Sequence, residues 1–172
     1  MFSYPVYWPN FYTAVNYDWY PLLKEDKYKQ IIICSLQYLV KNKRIELSAF
    51  VLMNTHIHII WQVLPGYSPT QVQHAFMKYT AQQIKLELQK DDPELLEKCR
   101  VNKPDREYQI WKRESLSIEL TAQKFFYQKL EYIHNNPVVA GLCKYPEEYY
   151  YSSANFYQNG IDPFHIVTHY LG

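Results

Sequence analysis

Apolar positions along this chain switch between a spacing of two and a spacing of three to four, and the switches divide it into elements. Asn10 to Trp19 is rich in aromatic and β-branched residues and predicts a strand. Over 26–43, Tyr28, Ile32, Leu36, Leu39 and Val40 recur at helical spacing. Asp26 stands at the start as a candidate N-cap, and Lys41, Lys43 and Arg44 stand at the end. Ile45 to Met53 and His56 to Leu64 predict two strands, with Asn54-Thr55 as a tight connection between them. A second helix is predicted over 69–90, with Ser68 as its cap and Val72, Ala75, Phe76, Tyr79 and Ile84 on its apolar face.

From 87 to 107 the pattern breaks: 12 of these 21 positions are charged, and Pro93 and Pro104 interrupt them. The expectation is a solvated helical excursion or a mobile, peripheral insert over 89–105. Tyr108 to Leu120 returns to strand-like sequence around Ile110-Trp111. Thr121 is placed to cap a helix over 122–135, which Pro137 should stop near Asn136. The tail from 145 is rich in Tyr and irregular, with room for a short terminal helix. The order β-α-β-β-α-β followed by an extra helix predicts an α+β fold: a ferredoxin-like antiparallel sheet with helices on one face and the extra helix towards the C-terminus. No linker divides the chain, so residues 1–172 read as a single domain.

Composition narrows the function. The 172 residues carry 18 Lys+Arg against 17 Asp+Glu, a net charge of +1, so nucleic-acid binding would need a local patch rather than a basic surface. Only 4 Gly are present, and they permit neither GxGxxG nor GxxxxGK[ST], which removes phosphate-cradling nucleotide loops. The 3 Cys are far apart and form no CxxC, so they read as free thiols in a reducing compartment. No secretory signal and no run of membrane-spanning length is seen, and the expected location is the cytoplasm, in association with the nucleoid.

Four groups of residues could carry chemistry. His56 and His58 flank Ile57 in an apolar strand, so both leave one face, about 6.5–7 Å apart along it, and can converge on one cation. An HxH pair is a weak pattern by itself and more often marks polar residues on a sheet surface. Tyr132 and Asn136 are four apart and share a helix face, while Phe126, Leu130 and Ile133 form the stripe that would seat that helix. A single Tyr among 18 is usually an ordinary aromatic. Lys78 and the pair Lys112-Arg113 could meet phosphates, although each alone reads as a solvated cation. His165 and His169 have i,i+4 spacing but lack the Glu of HExxH, and they read as a structural feature of the C-terminus.

Taken together, Phe50-Val-Leu-Met-Asn-Thr-His-Ile-His-Ile-Ile-Trp61, Ile110-Trp-Lys-Arg113, Leu130-Glu-Tyr-Ile-His-Asn-Asn-Pro-Val-Val-Ala-Gly-Leu142, Pro146-Glu-Glu-Tyr149 and Tyr151-Ser-Ser-Ala154 resemble the single-tyrosine HUH transposases. The resemblance is specifically to the REP-associated tyrosine transposase branch of the insertion-sequence-200-like group. It runs from about residue 10 to 155. It implies a ferredoxin-like core, and single-stranded or hairpin DNA as partner. It also implies a divalent cation, Mg²⁺ or Mn²⁺, held by His56, His58 and Asn136, and Tyr132 as nucleophile. Phenols ionise near pH 10, so such a nucleophile needs help, which a cation on the scissile phosphate supplies. The implied reaction is nicking and rejoining through a 5′-phosphotyrosine. The wider group contains domain-swapped homodimers and this branch contains monomers, so the oligomeric state stays open.

One departure stands out. The family usually has Met-Pro-Asn before its first His, whereas this chain has Met53-Asn54-Thr55, which should relax a stiff turn. Two other readings are kept beside the enzyme. One is a domesticated or inactive protein that binds hairpin repeats without mobilising them. The other is an RRM-type RNA-binding sheet, against which the missing glycine-aromatic signature speaks.

Overall fold

The computed structural model describes residues 6–171. Four strands, β1 (Asn10–Val15), β2 (Ile45–Leu52), β3 (His56–Val63) and β6 (Leu116–Glu119), form an antiparallel sheet in the order β2-β3-β1-β6. With α1 (Asp26–Lys41) and α2 (Pro69–Asp91) between them, this is the ferredoxin-like arrangement within an α+β fold. β3 lies in the middle of the sheet, with His58 paired to Thr13 on one side and to Val51 on the other.

Strand alternation sorts side chains onto two faces. Tyr12, Ala14, Ile57, Ile59 and Trp61 face α1 and α2 and join Ile32, Leu36, Val72 and Phe76 in the larger core. Phe11, Ala49, Val51 and Ile60 face the other way and pack with Phe126, Leu130 and Ile133 of α4 (Gln123–Val139). The expected extra helix therefore covers the face opposite α1 and α2, and His56, His58 and Ile60 point towards it. The buried Trp61 lies between Tyr12 and Phe76, at ring separations of 5.2 and 5.4 Å.

Several boundaries differ from expectation. β1 ends at Val15 rather than Trp19, because the chain enters a 3-10 turn over Tyr17–Trp19 with Asp18 and Trp19 in left-handed backbone. Ile110 and Trp111 are not within a strand. Trp111 makes one isolated bridge to Asn16, and its indole donates to Thr80 Oγ1 at 3.1 Å, so burial against α2 overrides its strand propensity. Ala122, not Thr121, holds the N-cap position of α4. Glu25, not Asp26, holds that of α1. Pro137 does not stop α4. Its ring is buried in the last turn, where few backbone bonds depend on the missing N–H, and Ala140 N–H donates to Asn136 O beyond it at 3.0 Å. The tail forms one short helix, α5 (Ala154–Asn159), but His165 and His169 follow it in irregular chain, with His165 in left-handed backbone and His169 packed on Phe156.

The largest correction concerns 89–105. After the end of α2 come a short helix α3 (Pro93–Lys98) and a hairpin of β4 (Arg100–Lys103) and β5 (Arg106–Tyr108). Leu96 and Cys99 are buried in the main core and Leu95 packs against it, so the segment is not peripheral. Its charges pair locally: Arg100 bridges Glu97 and Glu107, and Arg106 meets Asp105. We expect Leu96→Ala to cost about 2–4 kcal/mol of stability in urea denaturation. A change near zero would return the segment to the periphery. No described helix is long and apolar enough to cross a membrane.

Candidate active site

β3 and α4 build the site between them. His56 and His58 lie on the same face of β3, with ring centroids 4.8 Å apart. Each ring is held from behind by a hydroxyl. Thr13 Oγ1 lies 2.7 Å from His58 Nδ1, across the β1–β3 ladder, and Thr55 Oγ1 lies 2.9 Å from His56 Nδ1. A proton on His58 Nδ1 directed at Thr13 leaves the Nε2 lone pair of that ring facing the other way, and His56 Nε2 is turned towards the same point. There they meet one amide: Asn136 Oδ1 is 3.2 Å from His56 Nε2, and Asn136 Nδ2 is 3.5 Å from His58 Nε2.

Tyr132, one turn before Asn136, is half-exposed, and its ring stands edge-on to His58 at 5.1 Å and to Phe11 at 6.0 Å. Phe11 stacks on His58 from below, at 5.5 Å and 18°. Lys129, three residues before Tyr132, places Nζ 5.6 Å from the Tyr132 ring and 4.7 Å from the Phe11 ring. Burial pushes the His58 imidazole down to about 3, with His56 and Lys129 adding repulsion. Burial lowers His56 as well, partly opposed by its bond to Asn136. Both rings are thus kept neutral at physiological pH, the form in which imidazole can be a metal ligand.

These donors fit a divalent cation. Two neutral imidazole nitrogens converge on one side-chain amide, and each ring is oriented by a hydroxyl behind it, the outer-shell arrangement that metal-binding histidines use. Among the described residues there is no group of three or more His, Cys, Asp or Glu, so a cation at the His pair would have the Asn136 amide oxygen as its nearest further donor.

The turn leading into β3 is not loose. Lys29, almost fully buried, donates to Asn54 Oδ1 at 3.1 Å and to the carbonyls of Leu23 and Lys24. Leu23 N–H donates to Asn54 O at 3.0 Å and Asn16 N–H to Thr55 O at 2.8 Å. Hydrogen bonds replace the stiffness that a proline would have given, and Thr55 holds the His56 ring besides.

Lys78, Lys112 and Arg113 are not at the His pair. All three line a groove of about 830 Å³ on the α2 side of the sheet, together with Lys85 and Arg106. No Asp or Glu is among the described residues that line it. The net charge of +1 therefore conceals one cationic groove. Four site residues escaped the sequence reading: Thr13, Phe11, Lys129 and Trp19, whose ring lies 5.9 Å from that of His56. Lys129 alone had a local signal, its i,i+3 spacing from Tyr132. The other three reach the site only through strand pairing and a turn.

Nine solved chains match this one. A REP-associated tyrosine transposase bound to a REP hairpin is 16% identical, with a TM-score of 0.65 over 100% of this chain and 92% of that one. A candidate transposase from Deinococcus radiodurans is 15% identical, with a TM-score of 0.49 over 78% of this chain and 95% of that one. No curated protein sequence matches. The fold is thus that of a tyrosine transposase. Residues 19–136 match the family described as "Transposase IS200 like", and the chain belongs to that family. It is by that membership a transposase, an enzyme of DNA transposition.

Proposed function

We propose that this transposase nicks and rejoins single-stranded or hairpin DNA through a phosphotyrosine at Tyr132, with Mn²⁺ or Mg²⁺ held by His56, His58 and Asn136. The observation that carries the reading is the Tyr132 ring standing against His58, while one amide lies between the two imidazole Nε2 atoms. The hairpin carried by the structurally similar REP-associated transposase supports DNA of that form as the partner.

The steps follow from the residues. The Tyr132 oxygen attacks phosphorus and its proton is lost. The bond from phosphorus to the 3′-oxygen breaks, and that oxygen gains a proton. The 5′-phosphate is then esterified to Tyr132, and the retained ester energy lets another 3′-hydroxyl reverse the step without ATP. When bound, the cation polarises the scissile phosphate and neutralises charge that builds on its oxygens. Lys129 places a fixed positive charge beside the attacking phenol and the same phosphate. Lys78, Lys112 and Arg113 hold flanking phosphates and carry no sequence information. Two imidazole nitrogens suit Mn²⁺ better than the harder Mg²⁺, so Mn²⁺ is expected to support the faster reaction.

The test is an SDS gel of labelled oligonucleotides incubated with the protein and Mn²⁺ or Mg²⁺. A covalent adduct that EDTA prevents is the expected result. DNA binding with no adduct under any condition would favour a binding protein that has lost its chemistry. His58→Ala should weaken Mn²⁺ binding by at least about tenfold in calorimetry and slow adduct formation, with Tyr132 still present. Unchanged Mn²⁺ affinity would remove His58 from the ligand set.

A further inference from the structure

Trp19 is 53% exposed, yet its ring is fixed beside the site, 5.9 Å from the His56 ring. Lys112 Nζ lies 4.7 Å over the same indole. The backbone that presents it is unusual: Asp18 and Trp19 have φ of 48° and 57°, left-handed values that a bulky side chain rarely adopts. The turn is held there by Trp19 N–H to Asn16 O at 3.1 Å and Tyr17 N–H to Ile110 O at 2.8 Å. Asn16 N–H to Thr55 O at 2.8 Å ties it to the residue before His56, and Lys112 N–H to Val15 O at 2.7 Å ties it to the cationic groove. Strain of this kind persists where the surroundings over-determine it, and here it sets a large aromatic face in water between the His pair and a row of cations.

We propose that Trp19 is a stacking platform for one unpaired DNA base next to the phosphate that Tyr132 attacks, with Lys112 taking that nucleotide's phosphate and passing the strand into the Lys78–Arg113 groove. The proposal rests on the phosphotyrosine reading and adds a base-binding subsite to it. The indole offers a π face that any base can stack on, which gives affinity with little sequence preference. The Lys112 ammonium now lies over that ring at 4.7 Å; a base stacking there displaces it, and the displaced ammonium can meet that nucleotide's own phosphate. Lys112 also lines the groove, so platform and groove form one track that bends round the end of the sheet.

The test measures binding in EDTA, where no chemistry intervenes. The probes are a short oligothymidylate and an abasic strand of the same length. Trp19→Ala should lose about tenfold in affinity for oligothymidylate and almost nothing for the abasic strand, while Trp19→Phe recovers most of the loss. Lys112→Met should weaken both strands alike and lower the salt dependence. In a Trp8→Phe background, which leaves Trp19 as the exposed indole beside the buried Trp61 and Trp111, oligothymidylate should quench fluorescence and the abasic strand should not. Equal losses on both strands, or no loss, for a folded Trp19→Ala would overturn the platform. Adduct formation by that same variant would then show the phosphotyrosine reading intact. A wild-type protein that binds neither strand and forms no adduct would overturn both.

Discussion

Tyr132→Phe should abolish covalent attachment to DNA, a loss of more than about a thousandfold in adduct rate, while the protein stays folded and still binds DNA. The substitution removes one oxygen and keeps the ring. The edge contacts to His58 and Phe11 involve that ring, so they survive. Tyr132 is half-exposed, so the expected change in stability is within about 0.5 kcal/mol. DNA affinity should survive, because the groove cations proposed to hold phosphates are untouched. Tyr127 supplies the control. It lies five residues earlier on α4, about 140° around the helix, and packs on Phe126 rather than on the histidines. Tyr127→Phe should form adduct at the wild-type rate. Both variants run on one gel, and adduct from Tyr132→Phe, or its loss in Tyr127→Phe alone, would reassign the nucleophile.

What could be read from the chain depended on how local each signal was. The period of two put His56 and His58 on one face, and the i,i+4 relation put Tyr132 and Asn136 on another. Neither says that the two faces meet; only the resemblance did. Thr13 reaches His58 through the β1–β3 register, which no spacing within β1 could reveal. Trp19 sat inside a segment read as strand, because its aromatic and β-branched neighbours favour strand and nothing local marks two successive left-handed residues without glycine. In 89–105 the count of charges hid an apolar i,i+3 pair, Leu96 and Cys99, which the core absorbs. Average composition describes where a segment's surface points, not whether one face of it is buried. Pro137 misled for a similar reason: the rule against proline applies to a helix interior, and α4 had almost ended.

Phe126→Ala should be the most damaging single truncation on the α4 side, at about 3–5 kcal/mol. Phe126 is fully buried and stacks on Tyr170 at 3.9 Å and 15°. With Leu130 and Ile133 it closes the core over Phe11, Ala49, Val51 and Ile60. That face of the sheet carries the two histidines, and α4 is the element that keeps its apolar residues from water. Tyr132 and Asn136 belong to the same helix, so the anchoring of the helix sets their distance from His56 and His58. The variant should therefore lower the urea midpoint and slow adduct formation even where the protein remains mostly folded, because geometry loosens before the fold is lost. Phe126→Leu, which retains most of the volume, should recover the larger part of both. A Phe126→Ala protein with near wild-type stability would mean that α4 is held by its other contacts. A destabilised protein with an unchanged adduct rate below its midpoint would mean that helix anchoring and site geometry are independent.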